Sequence, residues 1–499
     1  MTISTIGING ALPQHILDLK SRIEELQVQL GSGRRGQTFG GLGASRALSL
    51  DMRGEIARIE SFMTTISMVE LRLEIMNGAL ESAHELVNEL QGAWLVAPYE
   101  VGTDGKTQIQ HTAEAGLSQL VQLLNSKSLD RYLFAGRDNA SPPVAPDKAI
   151  LEGDGARAGL AQVVAERALA DLGADGLGRL SIPAAAGATV SVSEDGAGHP
   201  FGFKLAGVSS TLTGTTVAGP TGSPPAIDVT FSSSLPNVGD EIAISLALPD
   251  GTTAEVRLTA TGSATPGAGE FTIGADENAT AANFETALRA ETARVAAIDL
   301  RAASAVRAAD QFFDFDSTTP PQRVAGPPFE TATTLVDATM ANTVFWYEGD
   351  LTTPPRDSTV ARVDEGYTIA YGARADEAAL KNAIKQFALV AVSRFDEQVA
   401  SDSLRYAASR ERGLPAVAGA PGYPRISEIA TGLANRHVAV QAVKDRHREA
   451  LAFARGTLDA AEGVDQEEIA VQFLRLQTQL QASYETTSIL ARLTLANFL

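Results

Sequence analysis

Apolar residues recur at helical spacing at both ends of the chain. Ile16, Leu19, Ile23, Leu26 and Leu30 are separated by 3, 4, 3 and 4 residues, which is a heptad seam. The glycine-rich stretch from Gly31 to Gly43 interrupts it. A second seam follows through Met52, Ile56, Ile59, Met63, Ile66, Val69, Leu73, Met76, Leu80, Ala83, Val87 and Leu90, with one 3-3 slip at Met63–Ile66–Val69. A helix over that run spans roughly 55–60 Å at about 1.5 Å per residue. It is far longer than an average globular helix, so it needs a comparable partner along its length. A third helical pattern runs from His111 to about Asp130, and Pro142, Pro143 and Pro146 mark a boundary after it.

The pattern changes between about Ala184 and Gly274, where Thr, Ser, Gly and Val dominate. "EIAISLALPDGTTAEVRLTA" alternates apolar and polar residues on either side of Asp250-Gly251 and predicts a β-hairpin. A short helix is expected next, capped at Thr280, with Phe284, Ala287 and Leu288 on its apolar side. Helical spacing returns at Asp376 with Leu380, Ile384, Phe387 and Val390. It breaks at "GLPAVAGAPGYP" and resumes from Ile426 to about Leu458. "GVDQEEIAVQFLRLQTQL" opens the last helix. There Asp465 suits the N-cap, Glu467 and Glu468 suit the positive end of the helix dipole, and Ile469, Phe473, Leu476 and Leu480 step by 4, 3 and 4. The sequence closes on Leu490, Leu493, Phe498 and Leu499 with no charged tail after them. Such residues are expected to be buried against something.

Composition narrows the classes of function. The net charge is −20, and residues 141–370 carry −16 of it, which predicts an acidic, solvated middle between nearly neutral ends. Nucleic-acid binding requires a basic face, so it is not expected. There is no cysteine, hence no disulfide framework and no thiolate chemistry. No apolar run approaches the roughly 18–20 residues of a membrane span, and membrane insertion is not expected. The start, "MTISTIGINGALPQ", lacks the basic and long apolar regions of a Sec-type signal peptide.

Candidate chemistry is sparse. "GSGRRG" at Gly31 to Gly36 spells a dinucleotide-loop pattern, and "GSGRRGQT" comes close to a phosphate-binding loop with Gln37 where Lys belongs. It follows a heptad helix with no strand before it, so the expected structure is a flexible turn between two helices. None of the six histidines has zinc-site spacing, and His437 and His447 sit among arginines as exposed helix-surface residues. "FDFDS" (Phe313 to Ser317) and "GADEN" (Gly274 to Asn278) do not fit a calcium loop and are expected to be solvated loop acids. No G-x-S-x-G occurs. Trp94 and the Phe345-Trp346-Tyr347 cluster are expected to pack in a core or interface. The chain is therefore expected to be no enzyme, with no catalytic residue, no cofactor and no metal.

Four segments carry a family likeness. They are "MTISTIG" followed by a heptad helix and "LGSGRRG"; "LDRYLFAGRDNASPPV"; "YTIAYGARADEAALKNAIKQFALVAV"; and "FLRLQTQLQASYETTSILARLTLANFL". Together they resemble the bacterial flagellin and flagellar hook-associated protein family, most closely its hook–filament junction members. The likeness covers roughly the first 145 and last 130 residues. Filament flagellins usually carry Asp-Asp-Ala-Ala-Gly-Leu-Ala after the first turn, where this sequence has "FGGLGASRAL".

The resemblance implies a fold that is mainly α with a β-rich insertion. Long N- and C-terminal helices would pair as a coiled coil, a flagellin-like rod, with an outer α+β domain in the middle. The expected divisions are an assembly helix at 1–45, rod at 46–146, an outer β-rich surface domain at 147–370, rod at 371–460, and a second assembly helix at 461–499. The expected assembly interface is Ile16, Leu19, Ile23, Leu26, Leu30, Ile469, Phe473, Leu476, Leu480, Leu490, Leu493, Phe498 and Leu499. By the same resemblance the partners are further copies of the chain in a ring or helix, a neighbouring hook-associated protein, flagellin and an export chaperone. The location is extracellular, in the flagellum, reached by the flagellar type III route. Two alternatives remain on the sequence, a filament flagellin subunit and a surface adhesin on a helical stalk.

Overall fold

The computed structural model describes residues 11–496, with side chains from 13 to 489. Among these residues the fold is mainly helical with a β-rich insertion. In chain order the helices are α1 (Ala11–Ser32), α2 (Arg46–Val96), α3 (Gln108–Leu124), α4 (Asp147–Glu152), α5 (Leu160–Leu172), α6 (Glu277–Val295), α7 (Arg301–Phe313), α8 (Ala378–Val392), α9 (Asp402–Val417), α10 (Ile426–Glu462) and α11 (Gln466–Ala496). Two compact units emerge. The first combines residues 11–70, 361–369 and 438–496, and the second combines 71–360 and 370–437. The dividing points fall within α2, after residues 360 and 369, and within α10.

In the first unit, α2 and α10 run antiparallel. Arg53 meets Glu462, Glu60 meets Arg455 at 2.7 Å, Phe62 stacks on His447 at 5.6 Å, and Glu70 meets Lys444, so one number rises as the other falls. The seam residues Ile59, Ile66 and Val69 are buried, as are Val440, Val443, Ala454 and Ala461 of α10. The tip of a hairpin, β13 (Val360–Asp364) and β14 (Tyr367–Ala370), also belongs here. Asp364 pairs with Arg446 at 3.0 Å and Glu365 with Arg58 at 3.3 Å.

In the second unit, the same seam continues on α2 through the buried Leu73, Met76, Leu80, Ala83, Leu90 and Trp94. The Trp94 ring rests on Gly413 of α9, where a Cβ would lie 2.1 Å from the ring. Helix α9 was not expected, because "GLPAVAGAPGYP" reads as a break. The helix runs on through Pro415 to Val417 before turning. Helix α3 begins at a capping box made by Thr107 and Gln110 and packs on α8. It ends at Leu124, short of the expected Asp130, because Lys127–Ser128 (β1) and Arg131–Tyr132 (β2) form a small hairpin instead.

The insertion holds two four-stranded sheets. One has the order β3 (Leu180–Ser181), β4 (Thr189–Glu194), β7 (Ala226–Phe231), β6 (Thr215–Thr221). The other has β10 (Glu270–Thr272), β9 (Thr253–Thr261), β8 (Glu241–Ala247), β5 (Lys204–Ser210). The expected hairpin is β8–β9, closed by Ala247 opposite Thr253. Alternation sends Ile242, Ile244, Leu246, Val256 and Leu258 into one core with Val190, Val229 and Phe231. Helix α6 closes this core with Phe284 and Leu288, and Phe284 sits edge-on to Phe271 and Phe231. Its N-cap is Asp276, whose carboxylate accepts from Ala279 N at 2.8 Å. Thr280, expected as the cap, is buried one turn further in and bonds Gly274 N and Asp276 O. A π-helical turn (Ala296–Leu300) joins α6 to α7, so the expected short helix extends much further. A third short pair, β11 (Gln322–Val324) and β12 (Leu335–Asp337), lies beyond it.

Candidate assembly interface

In the first unit, α1 and α11 lie against each other. The expected seams are the covered stripes. Leu19 and Ile469 are buried, and Ile16, Ile23, Leu26, Leu30, Phe473, Leu476 and Leu480 are partly buried. Ser483 and Thr487 continue the stripe on α11 at steps of 3 and 4. Apolar periodicity could not reveal them, because they are polar. Leu490 and Leu493 are described in backbone only, and Phe498 and Leu499 lie outside the described residues. Other apolar side chains of the pair stay uncovered: Leu17 is 64% exposed, Val471 66%, Leu474 60%, Ile489 59% and Tyr484 52%. The helix pair thus covers one stripe and presents others to solvent.

The root of the pair is a backbone clasp. Val464 N donates to Gly33 O at 3.1 Å, Arg35 N donates to Glu462 O at 2.8 Å, and Arg34 and Gly463 form an antiparallel bridge. Arg35 Nε adds a bond to Gly463 O at 3.0 Å. The "GSGRRG" segment is therefore a pinned turn and not the free one expected, because its backbone groups pair with the turn between α10 and α11. The clasp joins the C-terminus of α1 to the N-terminus of α11, so the two helices run in opposite directions. Asp465 caps α11 as expected, accepting from Glu467 N at 2.9 Å and Glu468 N at 3.3 Å.

Glu462 anchors this clasp. Its two carboxylate oxygens accept from Arg53 Nε and Nη2 at 2.8 and 2.7 Å, and one also accepts from Ser49 Oγ. The Arg53 bonds, then Ser49, lower its pKa to about 2 from 4.5. A depressed carboxylate pKa adds stability that is present above about pH 4.5 and lost as pH falls toward 2. The Arg53 side chain is 42% exposed, so solvent screening limits the contribution to about 1 kcal/mol. Glu462→Gln is expected to cost about that much at neutral pH and nothing near pH 2. Thermal melts across this range check it, and an unchanged acid slope in the variant would count against the assignment.

In the second unit, two of the segments that carry the family likeness meet. Ala135 bridges Arg374, Ala375 N donates to Phe134 O at 3.0 Å, and Asp350 N donates to Ala135 O at 3.0 Å. Leu133, Phe134 and Ala135 are buried. Gly136 has φ +69°, and a Cβ there would lie 2.8 Å from Asp350 Cβ, so only glycine fits. Arg374 is buried and holds Asp376 through two bonds, Nε–Oδ1 at 2.8 Å and Nη2–Oδ2 at 2.6 Å. It also donates to Thr352 O. Tyr347 donates to Asp350 O at 3.1 Å, and burial raises its pKa. Trp346 donates to Phe313 O at 3.1 Å, in line with a packing role for this aromatic cluster.

The remaining candidates take structural places. His447 is buried against Phe62, with Nε2 2.8 Å from Val363 O, and is not the exposed residue expected. Phe62 of α2 and Val363 of the hairpin cover it. The acids of "GADEN" and "FDFDS" serve local contacts: Asp276 caps α6, Asp316 closes a turn with Thr318 and Thr319, and Asp314 pairs with Lys381. Among the described residues no group of three or more His, Cys, Asp or Glu could hold a metal, and no helix is long and apolar enough to cross a membrane. Comparison with protein-family models and with curated proteins finds no match to this chain.

Proposed function

We propose that this protein is a structural subunit of the bacterial flagellum, of the hook–filament junction type, and that it assembles through coiled-coil packing of its terminal helices. The observation that carries this is the α1–α11 pair. Two seams from opposite ends of the sequence cover one stripe, while Leu17, Val471, Leu474, Tyr484 and Ile489 remain exposed around it. A solitary subunit gains little from such residues, whereas copies packed side by side bury them. Each fully buried Leu or Ile contributes on the order of 1.5–3 kcal/mol, so a few residues per contact suffice to drive assembly. The clasp at Gly33–Arg35 and Glu462–Val464 supports this by fixing the root from which the pair projects.

The junction reading, rather than the filament one, rests on Leu133-Phe134-Ala135-Gly136 and on "FGGLGASRAL" where filament subunits differ. No catalytic step belongs to this function; the chemistry is burial of apolar surface. Electron micrographs of cells lacking the protein test it. Hooks without filaments, with flagellin released to the medium, are expected. Normal filaments in such cells would rule the proposal out.

A further inference from the structure

A cavity of about 500 Å³ opens in the second unit among α5, α7, α9 and the end of α8. Its lining includes the apolar side chains of Val164, Ala165, Ala302, Leu389, Val392 and Phe395. It also carries three arginines, Arg301, Arg394 and Arg405, against a single lining carboxylate, Glu152. That balance is unusual in a chain of net charge −20. Among the described residues, the side chains of Arg301 and Arg394 make no ion pair or hydrogen bond. Arg405 is buried. Its Nη2 reaches Asp402 Oδ2 at 2.7 Å and Arg394 O, its plane lies over Phe395, and its Nε has no acceptor. Buried donors are nearly always paired, so the Arg405 guanidinium is short of one acceptor beside this cavity.

Position adds to this. Arg301 is the first residue after the π-helical turn Ala296–Leu300, and such turns recur at functional sites. Burial, and then the charge of Arg301, lower the pKa of Arg405, so the two guanidinium groups repel one another in a partly desolvated place. An anion between them relieves that repulsion and supplies acceptors. Guanidinium groups suit carboxylate and phosphate oxygens through paired N–H donors.

We propose that this cavity is a binding site for an amphipathic anion, a carboxylate or phosphate group on a short apolar stem. Arg301, Arg394 and Arg405 hold the headgroup, and the stem lies along Val164, Leu389, Val392 and Phe395. The site is separate from assembly through α1 and α11 and does not depend on it.

Calorimetric titration of the full chain at constant ionic strength tests this, with sodium hexanoate, hexyl phosphate, inorganic phosphate and hexylammonium chloride as probes. Saturable binding of hexanoate or hexyl phosphate is expected, and the tighter of the two identifies the headgroup the site is built for. Inorganic phosphate is expected to bind more weakly than hexyl phosphate, and hexylammonium not at all. Arg301→Ala and Arg394→Ala should each weaken the hexyl anion by about tenfold. Neither side chain bonds to the protein, so both variants should fold, and circular dichroism verifies this. Absence of saturable binding, equal binding of inorganic and hexyl phosphate, or wild-type affinity in both variants would overturn the proposal.

Discussion

A chain lacking residues 482–499 is expected to keep its second unit folded and to fail to enter the assembled structure. The second unit, residues 71–360 and 370–437, has its own core around Ile244, Phe231 and Phe284, and no residue of that core comes from α11. The first unit loses more. Because α1 and α11 run in opposite directions from the clasp, the distal half of α11 lies at the N-terminal end of α1. Truncation leaves α11 only residues 466–481, close to the length of about 12–15 residues below which isolated helices are marginal. It also removes Tyr484 and Ile489 from the exposed apolar surface proposed for contact between copies. Two measurements separate outcomes. The main thermal transition should persist, and cells with the truncated protein as sole copy should show no incorporation. Normal filaments in those cells would refute the assembly role given to the C-terminal helix.

The second large effect is expected where Ala135 meets Arg374. Arg374→Met removes a buried guanidinium that holds Asp376 and Thr352 O, next to the main-chain bridge to Ala135. Breaking one side of a buried pair costs about 3–5 kcal/mol, because the other charge is left uncompensated. Burial already raises the pKa of Asp376, and Arg374 opposes that rise. Without Arg374 the pKa climbs further. A carboxyl whose folded pKa exceeds its unfolded value favours folding most below the unfolded pKa, and that contribution fades as pH rises through the folded one. The variant should therefore be most destabilised near neutral pH and less so toward pH 4. Urea denaturation at both conditions measures this. A loss below about 1 kcal/mol, or the same loss at both pH values, would show that the pair does not carry the fold here.

Periodicity alone was enough to locate the long helices and their buried faces. Every residue of the α2 seam from Met52 to Leu90 is buried or partly buried. The hairpin at Asp250-Gly251 and the cap at Asp465 were likewise legible, because turn and cap chemistry is decided by a few neighbouring residues. Local chemistry misled at the start of α6, where the expected cap Thr280 is buried against Gly274 and Asp276 caps the helix instead. At Pro415 local propensity was overruled, and α9 continues where Gly413 admits the Trp94 ring.

Among the candidate sites, the seam residues of α1 and α11 could be named from spacing, but not their clasp, the covered Ser483 and Thr487, or the cluster of Arg301, Arg394 and Arg405. The reason is physical. Spacing along one strand of chain fixes which face of an element is apolar, since that depends on residues three or four apart. Which face meets which, and which charges are left without partners, depends on contacts between residues hundreds of positions apart. Arg53 and Glu462 or Ala135 and Arg374 are brought together only when the whole chain packs.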